Sequence, residues 1–271
     1  MSKIKAFIKA NKFFSILLAL MFLISLGAIF ANVIAPYDPY QGDLKQAFMP
    51  PSTQHLFGTD KLGRDILSRV IYGVRISLSF SVLLILIIST VGTIVGIIAG
   101  YCGGFIDSLI MRISDVLIAC PSMVLAIALA GIMGASLKNA MIAIFIVTIS
   151  KYIRLTRSLV IKINNEDYIK AAKLSGTTHF NIIRRHIIPN IIPVLIITIS
   201  TDVAAMILEL SALSFLGFGV QAPTPELGLM MNEGRAYLLS APWMIMYPGL
   251  AIVIIVTISN LLSDKLRDIL S

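Results

Sequence analysis

Long runs without a single charge dominate this chain. Phe13 to Ala35 has none, and neither has Ile76 to Ile106. A helix crosses the hydrocarbon core of a bilayer with about 20 apolar residues, and core helices of soluble domains are shorter. Val116 to Leu137 is a third such run. Asn139 to Ser150 is shorter but extends through Lys151 towards Val160. Ile187 to about Leu208 is a fifth and carries Asp202, and Ala236 to Ser263 is a sixth. The expected fold class is an all-α integral membrane protein with about six transmembrane helices. Composition agrees, since 57% of residues are hydrophobic and 13% charged, where a soluble domain has about 25% charged. A disordered chain, a disulfide-stapled secreted domain and a nucleic-acid binder are all excluded as readings. The lipid bilayer is the expected surrounding, with no nucleic acid as partner.

Charge distribution gives the orientation. Lys3, Lys5, Lys9 and Lys12 precede the first run with no acid among them. The run is too long for a signal peptide and is read as an uncleaved first helix with its N-terminus in the cytoplasm. Six crossings return the C-terminus to the same side. Residues 151–186 hold Lys151, Arg154, Arg157, Lys162, Lys170, Lys173, Arg184 and Arg185 against Glu166 and Asp167, and fall inside. Residues 36–75 are nearly balanced, with Lys45, Lys61, Arg64, Arg69 and Arg75 against Asp38, Asp43, Asp60 and Asp65, and fall outside. The net charge of +8 is thus mostly topology. A multi-pass protein of the cell (cytoplasmic, inner) membrane is expected.

The cytoplasmic segment has the most informative local pattern. Asn164 or Asn165 is placed to cap a short helix over about 167–175, with Glu166 and Asp167 near its positive end. Gly176 stands at the C′ position that ends it. Thr177 or Thr178 then caps a second short helix towards Pro189. Ala171 and Ala172 let a partner's surface approach the backbone closely. The pattern suits a knob that docks into a groove on a soluble protein. An ordinary basic helix lying on lipid accounts for the lysines but not for the small patch, the glycine and the proline together.

Ala171-Ala172, then Gly176, then Ile188-Pro189 resembles the coupling motif of permease subunits in binding-protein-dependent ABC importers. Lys170 stands where that family has glutamate, His186 where it has isoleucine and Ile188 where it has leucine. Other blocks are similar to the C-type permeases of dipeptide, oligopeptide and nickel importers. They are Pro36-Tyr37-Asp38-Pro39, Gly58-Thr59-Asp60-Lys61-Leu62-Gly63-Arg64-Asp65, and Ser214-Phe215-Leu216-Gly217-Phe218-Gly219 leading into Pro223-Thr224-Pro225-Glu226-Leu227-Gly228. The resemblance covers nearly the whole chain. It implies a type I ABC importer permease fold with a cytoplasmic coupling helix, and assigns ATPase coupling to Lys170, Ala171, Ala172, Gly176 and Pro189. It also implies a homologous second permease, two ABC ATPase subunits and an extracytoplasmic substrate-binding protein as partners. No G-x-x-x-x-G-K-[ST] loop is present, so no phosphate cradle of that kind exists here. ATP hydrolysis is expected on partner subunits, the chain is not expected to be an enzyme, and no cofactor is expected on it.

On this reading residues 1–35 form the cytoplasmic N-terminus and first helix, and 36–75 an extracytoplasmic segment. That segment holds an amphipathic helix with Ile66, Leu67, Val70 and Val74 on one face beside Arg64, Arg69 and Arg75. Residues 76–263 form the importer domain, with its coupling loop at about 164–186, and 264–271 a cytoplasmic tail. Gly217, Gly219, Pro223 and Pro225 mark a break after the fifth helix. Asp202 and Glu209, seven residues apart and so on one helical face, are candidates for the substrate path. Carboxylates within a membrane segment usually face a polar cavity or a partner charge. An acid at the Asp202 position resembles the nickel branch of the family, as do the Leu-Ser-Gly at 174–176 and the 214–220 block. Nickel or a nickel chelate is therefore the favoured cargo, with di- or oligopeptides next. No metal site is expected on the chain. His55, His179 and His186 are read as solvated or interfacial, and Met206, Met230, Met231, Met244 and Met246 as apolar filler. Cys102 and Cys120 form no framework, and Cys120-Pro121 reads as a buried thiol at a helix kink. The rival classes are an ion-coupled secondary carrier using Asp202 and a membrane scaffold without transport.

Overall fold

The computed structural model describes residues 12–270. Lys3, Lys5 and Lys9, on which the expected N-terminal orientation partly rests, lie outside the described residues. All six predicted runs are helical. The elements are α1 (Lys12–Ile29), α2 (Ile66–Cys102), α3 (Gly104–Ile118), α4 (Ser122–Met133), α5 (Leu137–Asn164), α6 (Asp167–Leu174), α7 (His179–Phe215), α8 (Leu227–Gly234) and α9 (Trp243–Leu270). Among the described residues there is no strand, and Thr59 and Asp65 form an isolated bridge.

Four helices, α1, α2, α7 and α9, are long and apolar enough to cross a membrane. The pair α3 and α4, bent by 88°, makes up to five. Its break falls at Ala119-Cys120-Pro121, where proline N–H is missing and the residue before it avoids helical geometry. The kink is thus as expected, but both Cys102 and Cys120 are exposed rather than buried. The remaining expected span lies in α5, whose 28 residues carry Lys138, Lys151, Arg154, Arg157 and Lys162. The amphipathic helix expected near Ile66 is not separate. It is the first part of α2, a continuous helix of 37 residues, because nothing in the sequence after Ile66 interrupts its helical hydrogen bonds.

The chain forms two compact units. One comprises residues up to Leu83, Ala130–Met141 and residues from Ser200 on; the other comprises Leu84–Leu129 and Ile142–Ile199. The first has a core of Ile66, Val70, Leu78, Ile207, Leu227, Met230, Ala241, Met244, Ile252 and Ile255. By contrast α1 exposes Ile16, Phe22 and Leu23 by 57–63%, a face that suits lipid.

The second unit is organised by a stripe of glycines. Gly92, Gly96 and Gly100 lie four residues apart, on one face of α2, and that face meets α5. A Cβ on Gly92 would stand 2.5 Å from the Tyr152 Cβ, one on Gly96 2.7 Å from the Ile153 carbonyl oxygen, and one on Gly100 2.8 Å from that of Arg157. No side chain fits, so the two backbones approach closely. In lipid, where apolar side chains gain little by leaving the solvent, such small-residue contacts hold helices together. Helix α5 also carries ion pairs to α3. Arg157 grips both oxygens of Asp107, and Arg154 bonds to Asp115.

Gly96→Leu is expected to lower the melting temperature of the detergent-solubilised protein sharply. Overpacking alone costs about 1–3 kcal/mol, and here the obstacle is backbone. Gly27→Leu, where a Cβ meets nothing within 4 Å, serves as the control and should melt like the parent. Equal melting temperatures for the two variants would contradict the close approach.

Candidate functional site: the 164–189 segment and the buried acids

Helix α6 is short, and its stop is built as expected. Its last residue is Leu174 and Ser175 is the cap. Gly176 has φ +80°. Its N–H donates to the Lys173 carbonyl at 3.1 Å, and the Thr177 N–H donates to the Ala172 carbonyl at 3.1 Å. These two bonds make a Schellman motif, which satisfies helix-end carbonyls and requires a left-handed residue at Gly176. A Cβ at Gly176 would meet nothing within 4 Å, so only backbone conformation demands glycine there.

The start of the helix differs from the expectation. Its N-cap is Glu166, with no side-chain cap bond. Asn164 is unavailable because α5 runs through it, and its Oδ1 accepts from Lys173 Nζ at 2.7 Å. Ile169 is fully buried and roots the helix, whereas Lys170 and Ala171 are exposed and Ala172 half-buried. Leu174 is 90% exposed and Phe180 69%. Lys170, which replaces the family's glutamate, pairs with Asp167 at 2.9 Å. Both partners are exposed, so the pair adds little stability.

The second short helix is also different. Thr178 occupies its N-cap position but makes no side-chain cap bond, and the helix does not end at Pro189. It continues through a π-helical turn at Ile183–Ile187 into the fifth run, giving one helix of 37 residues, His179–Phe215. In the π turn the Ile188 N–H reaches the Ile183 carbonyl. The wider turn just before exposed Pro189 lets the chain stay helical across a residue that has no N–H to give.

The buried acids lie on α7. Asp202 is 5% exposed, and Glu209 is half-buried on the same face. Met206, Met230 and Met244 are buried between apolar neighbours, as filler should be, while Met246 is 49% exposed. Among the described residues no cluster of three His, Cys, Asp or Glu side chains is arranged to hold a metal.

His55 overturns its expectation. It is 5% exposed, with Nδ1 2.9 Å from Asp65 Oδ1 and Nε2 3.0 Å from Gln46 Oε1. It belongs to a polar network in the 36–75 segment that local sequence reasoning did not foresee. Arg64 and Arg69, expected beside the apolar face of an amphipathic helix, are 2% and 1% exposed. Arg64 Nε bonds Asp60 Oδ2 at 2.6 Å, and both guanidinium groups reach Glu233 Oε2, at 3.3 and 3.2 Å. Arg69 also donates to the Pro39 carbonyl at 3.1 Å. Arg75 alone of the three is exposed, donating to Asn32 Oδ1 at 2.8 Å.

The break after α7 uses the same device as α6. Gly217 has φ +91°, and the Phe218 N–H returns to the Leu213 carbonyl at 2.9 Å. Beyond it, Gln221, Ala222 and Pro223 are exposed, and Glu226 caps α8, whose first four residues are buried. The Glu226 carboxyl is fully buried and accepts from the N–H groups of Gly228 (3.1 Å) and Leu229 (2.9 Å) and from the hydroxyls of Ser77 (3.0 Å) and Ser211 (3.3 Å). Burial raises its pKa above the ordinary carboxylate range, and hydrogen bonds from Gly228, Leu229 and Ser77 among others oppose that rise only in part.

These blocks also align with known proteins. Residues 92–271 match the binding-protein-dependent transport system inner membrane component family, and residues 7–51 match the N-terminal transmembrane domain of oligopeptide transport permease C. The chain belongs to this permease family. The dipeptide transport system permease protein DppC of Haemophilus influenzae is 38% identical over 97% of this chain and 92% of that protein. The nickel transport system permease protein NikC of Escherichia coli K12 is 38% identical over 93% and 91%. The glutathione transport system permease protein GsiD of Escherichia coli O6:K15:H31 is 42% identical over 90% and 80%. Among solved structures, an inward-facing form of the MetNI methionine ABC transporter superposes with a TM-score of 0.61 at 15% identity, covering 76% of this chain and 98% of that one. The permease therefore has the type I ABC importer fold. It is a multi-pass component of an inner membrane, and ATP hydrolysis lies on separate subunits.

Two substitutions test the polar groups of this permease. Glu233→Ala takes from Arg64 and Arg69 one of the two carboxylates they share and leaves Asp60, so about 1–3 kcal/mol of stability should be lost in equilibrium unfolding. For Glu226 the folded-state pKa is raised, so the folded protein binds the proton more tightly than the unfolded chain does. Stability from this group is then full below the ordinary carboxylate range and declines as pH rises through the folded pKa. Melting temperature should fall with rising pH in the parent and lose that component in Glu226→Gln.

Proposed function

We propose that the permease forms half of a translocation path for short peptides, working by alternating access. It pairs with a homologous second permease, takes substrate from an extracytoplasmic binding protein and is driven by two ABC ATPase subunits. Its N- and C-termini and the 164–186 segment face the cytoplasm, and residues 36–75 face outside. Lys170, Ala171, Ala172 and Gly176 form the surface the ATPase grips, and Pro189 keeps the adjoining helix in line. The observation that carries this reading is the knob itself. It is a short helix of about two turns, rooted by Ile169 and closed by a Schellman turn, presenting Leu174 almost wholly to its surroundings. The basic residues of 151–186 support the orientation.

Peptide cargo is favoured because relatives named for dipeptide transport match at 38% and 41% identity over 97% of the chain. Nickel, the cargo favoured on sequence, becomes the second reading, since a relative named for nickel also matches at 38% and Asp202 is an acid buried within a spanning helix. Calorimetry of the cognate binding protein with dipeptides, nickel and nickel–histidine separates them. Heat with dipeptides alone supports the first reading, and heat with nickel or its chelate alone replaces it.

Gly176 tests the docking. A β-branched residue at φ +80° is strained by about 1–2 kcal/mol, and asparagine tolerates that region better. In the reconstituted importer Gly176→Val should therefore reduce uptake by about tenfold, while Gly176→Asn stays near the parent. Because the site is open, backbone strain is the whole cost, and the melting temperature of the Val variant should fall by only a few degrees, about 2–4 °C per kcal/mol. Full uptake by Gly176→Val, or uptake by the isolated permease on an ion gradient, would exclude the proposed coupling.

A further inference from the structure

One aromatic side chain gathers both ends of the knob. Tyr101 is the penultimate residue of α2, which ends at Cys102. Its hydroxyl lies 2.7 Å from Nδ1 of His179, the first residue of α7, and the two rings meet edge to face at 5.6 Å. Lys173, in the last turn of α6, holds its ammonium 5.6 Å from the centre of the Tyr101 ring. The same ammonium donates to Asn164 Oδ1, at the end of α5, at 2.7 Å. Lys173 and His179 stand on opposite sides of the Gly176 turn. Tyr101 thus touches the knob just before and just after its sharpest bend.

The position of Tyr101 on α2 gives these contacts a consequence. The preceding residue, Gly100, packs directly on the α5 backbone, where a Cβ would lie 2.8 Å from the Arg157 carbonyl oxygen. After Cys102 the chain turns through Gly103 and Gly104, both left-handed at φ +66° and +59°, into α3. Chain connectivity joins the knob to α5 and α7 only. The Tyr101 contacts add a non-covalent link to α2, immediately ahead of a joint made of two glycines.

We propose that Tyr101 is a positioning residue for coupling: it fastens the knob to the end of α2, so that a displacement of the knob reaches α2 as well as α5 and α7. This inference rests on the docking reading above. A tyrosine serving only as an interfacial anchor needs neither the histidine nor the lysine contact.

The test uses the assembled importer in proteoliposomes, with Tyr101→Phe and Tyr101→Leu. Uptake, ATP hydrolysis and the binding-protein concentration for half-maximal uptake are measured, together with crosslinking of Ser175→Cys to the ATPase. Tyr101→Phe keeps the ring under Lys173 and loses the bond to His179, so uptake per ATP should fall about fivefold. Tyr101→Leu loses both contacts and should fall about threefold further. Crosslinking and the half-maximal concentration should stay at parent values, and amide exchange over 170–180 should quicken in Tyr101→Leu. Unchanged uptake per ATP in Tyr101→Leu, with crosslinking intact, overturns the role of Tyr101 and leaves docking standing. Uptake, hydrolysis and crosslinking falling together would make Tyr101 a support of the docking surface and also overturn it. Absence of crosslinking in the Tyr101 parent removes the docking reading and this inference with it.

Discussion

Helices surrounded by lipid have no apolar surface to hide from water, so their association depends on how closely backbones can approach. In this permease that requirement falls on Gly92, Gly96 and Gly100, against which α5 lies with its carbonyls in contact. The contact sets what the rest of one unit can be. It places Arg157 opposite Asp107 and Arg154 opposite Asp115, and it brings the end of α2 beside the end of α5, where the knob begins. A helix as basic as α5 is tolerable there because its arginines meet acids of α3 instead of hydrocarbon.

The other unit meets a different constraint. Arg64 and Arg69 are removed from water almost completely, which is costly unless each guanidinium is paired and its donors are used. Asp60 and Glu233 supply the charge, and the Pro39 and Pro223 carbonyls take further donors of Arg69. Glu233 belongs to α8, itself started by the buried Glu226 carboxyl. The loop between α1 and α2 is thereby tied to the segment after α7, which explains how a connector so long keeps a defined shape.

How much of this was legible in the sequence follows from the range of the interactions. The apolar runs and the stop at Gly176 are local, and both were readable, the first from length and the second from a glycine after an amphipathic turn. The cap was misplaced because Asn164 could be either the last residue of α5 or the first of a new element, and α5's own hydrogen bonds decide that. Pro189 was taken as a helix end, but a π turn absorbs it, and nothing in Ile183–Ile187 announces a π turn. The pairing of Arg64 with Glu233 spans 169 residues and leaves no periodic trace, so the local pattern announces neither the burial of the two arginines nor that of His55. The glycine stripe was visible at spacing four, yet within an apolar run it is indistinguishable from sequence that merely faces lipid. Nothing local distinguishes one cargo from another either, since an acid within an apolar run, such as Asp202, does not name what is carried.

Exposed apolar surface has two meanings in such a protein, and the knob separates them. Along α1 the exposed side chains Ile16, Leu18, Phe22 and Leu23 stand in a run without charge, a surface that hydrocarbon alone satisfies. On α6 the exposed Leu174 stands within one turn of Lys170 and Lys173, and Asp167 lies two turns back. Hydrocarbon rejects the charges of such a mosaic, and water gains nothing from its leucine. A protein groove with an apolar floor and a polar rim accepts both. The Schellman turn orders that mosaic without a partner, so the proposed docking would lose little conformational entropy. A rigid surface of mixed character also moves as one piece when its partner moves, which is the property that a mechanical link between a hydrolysing subunit and a bundle of lipid-bound helices requires.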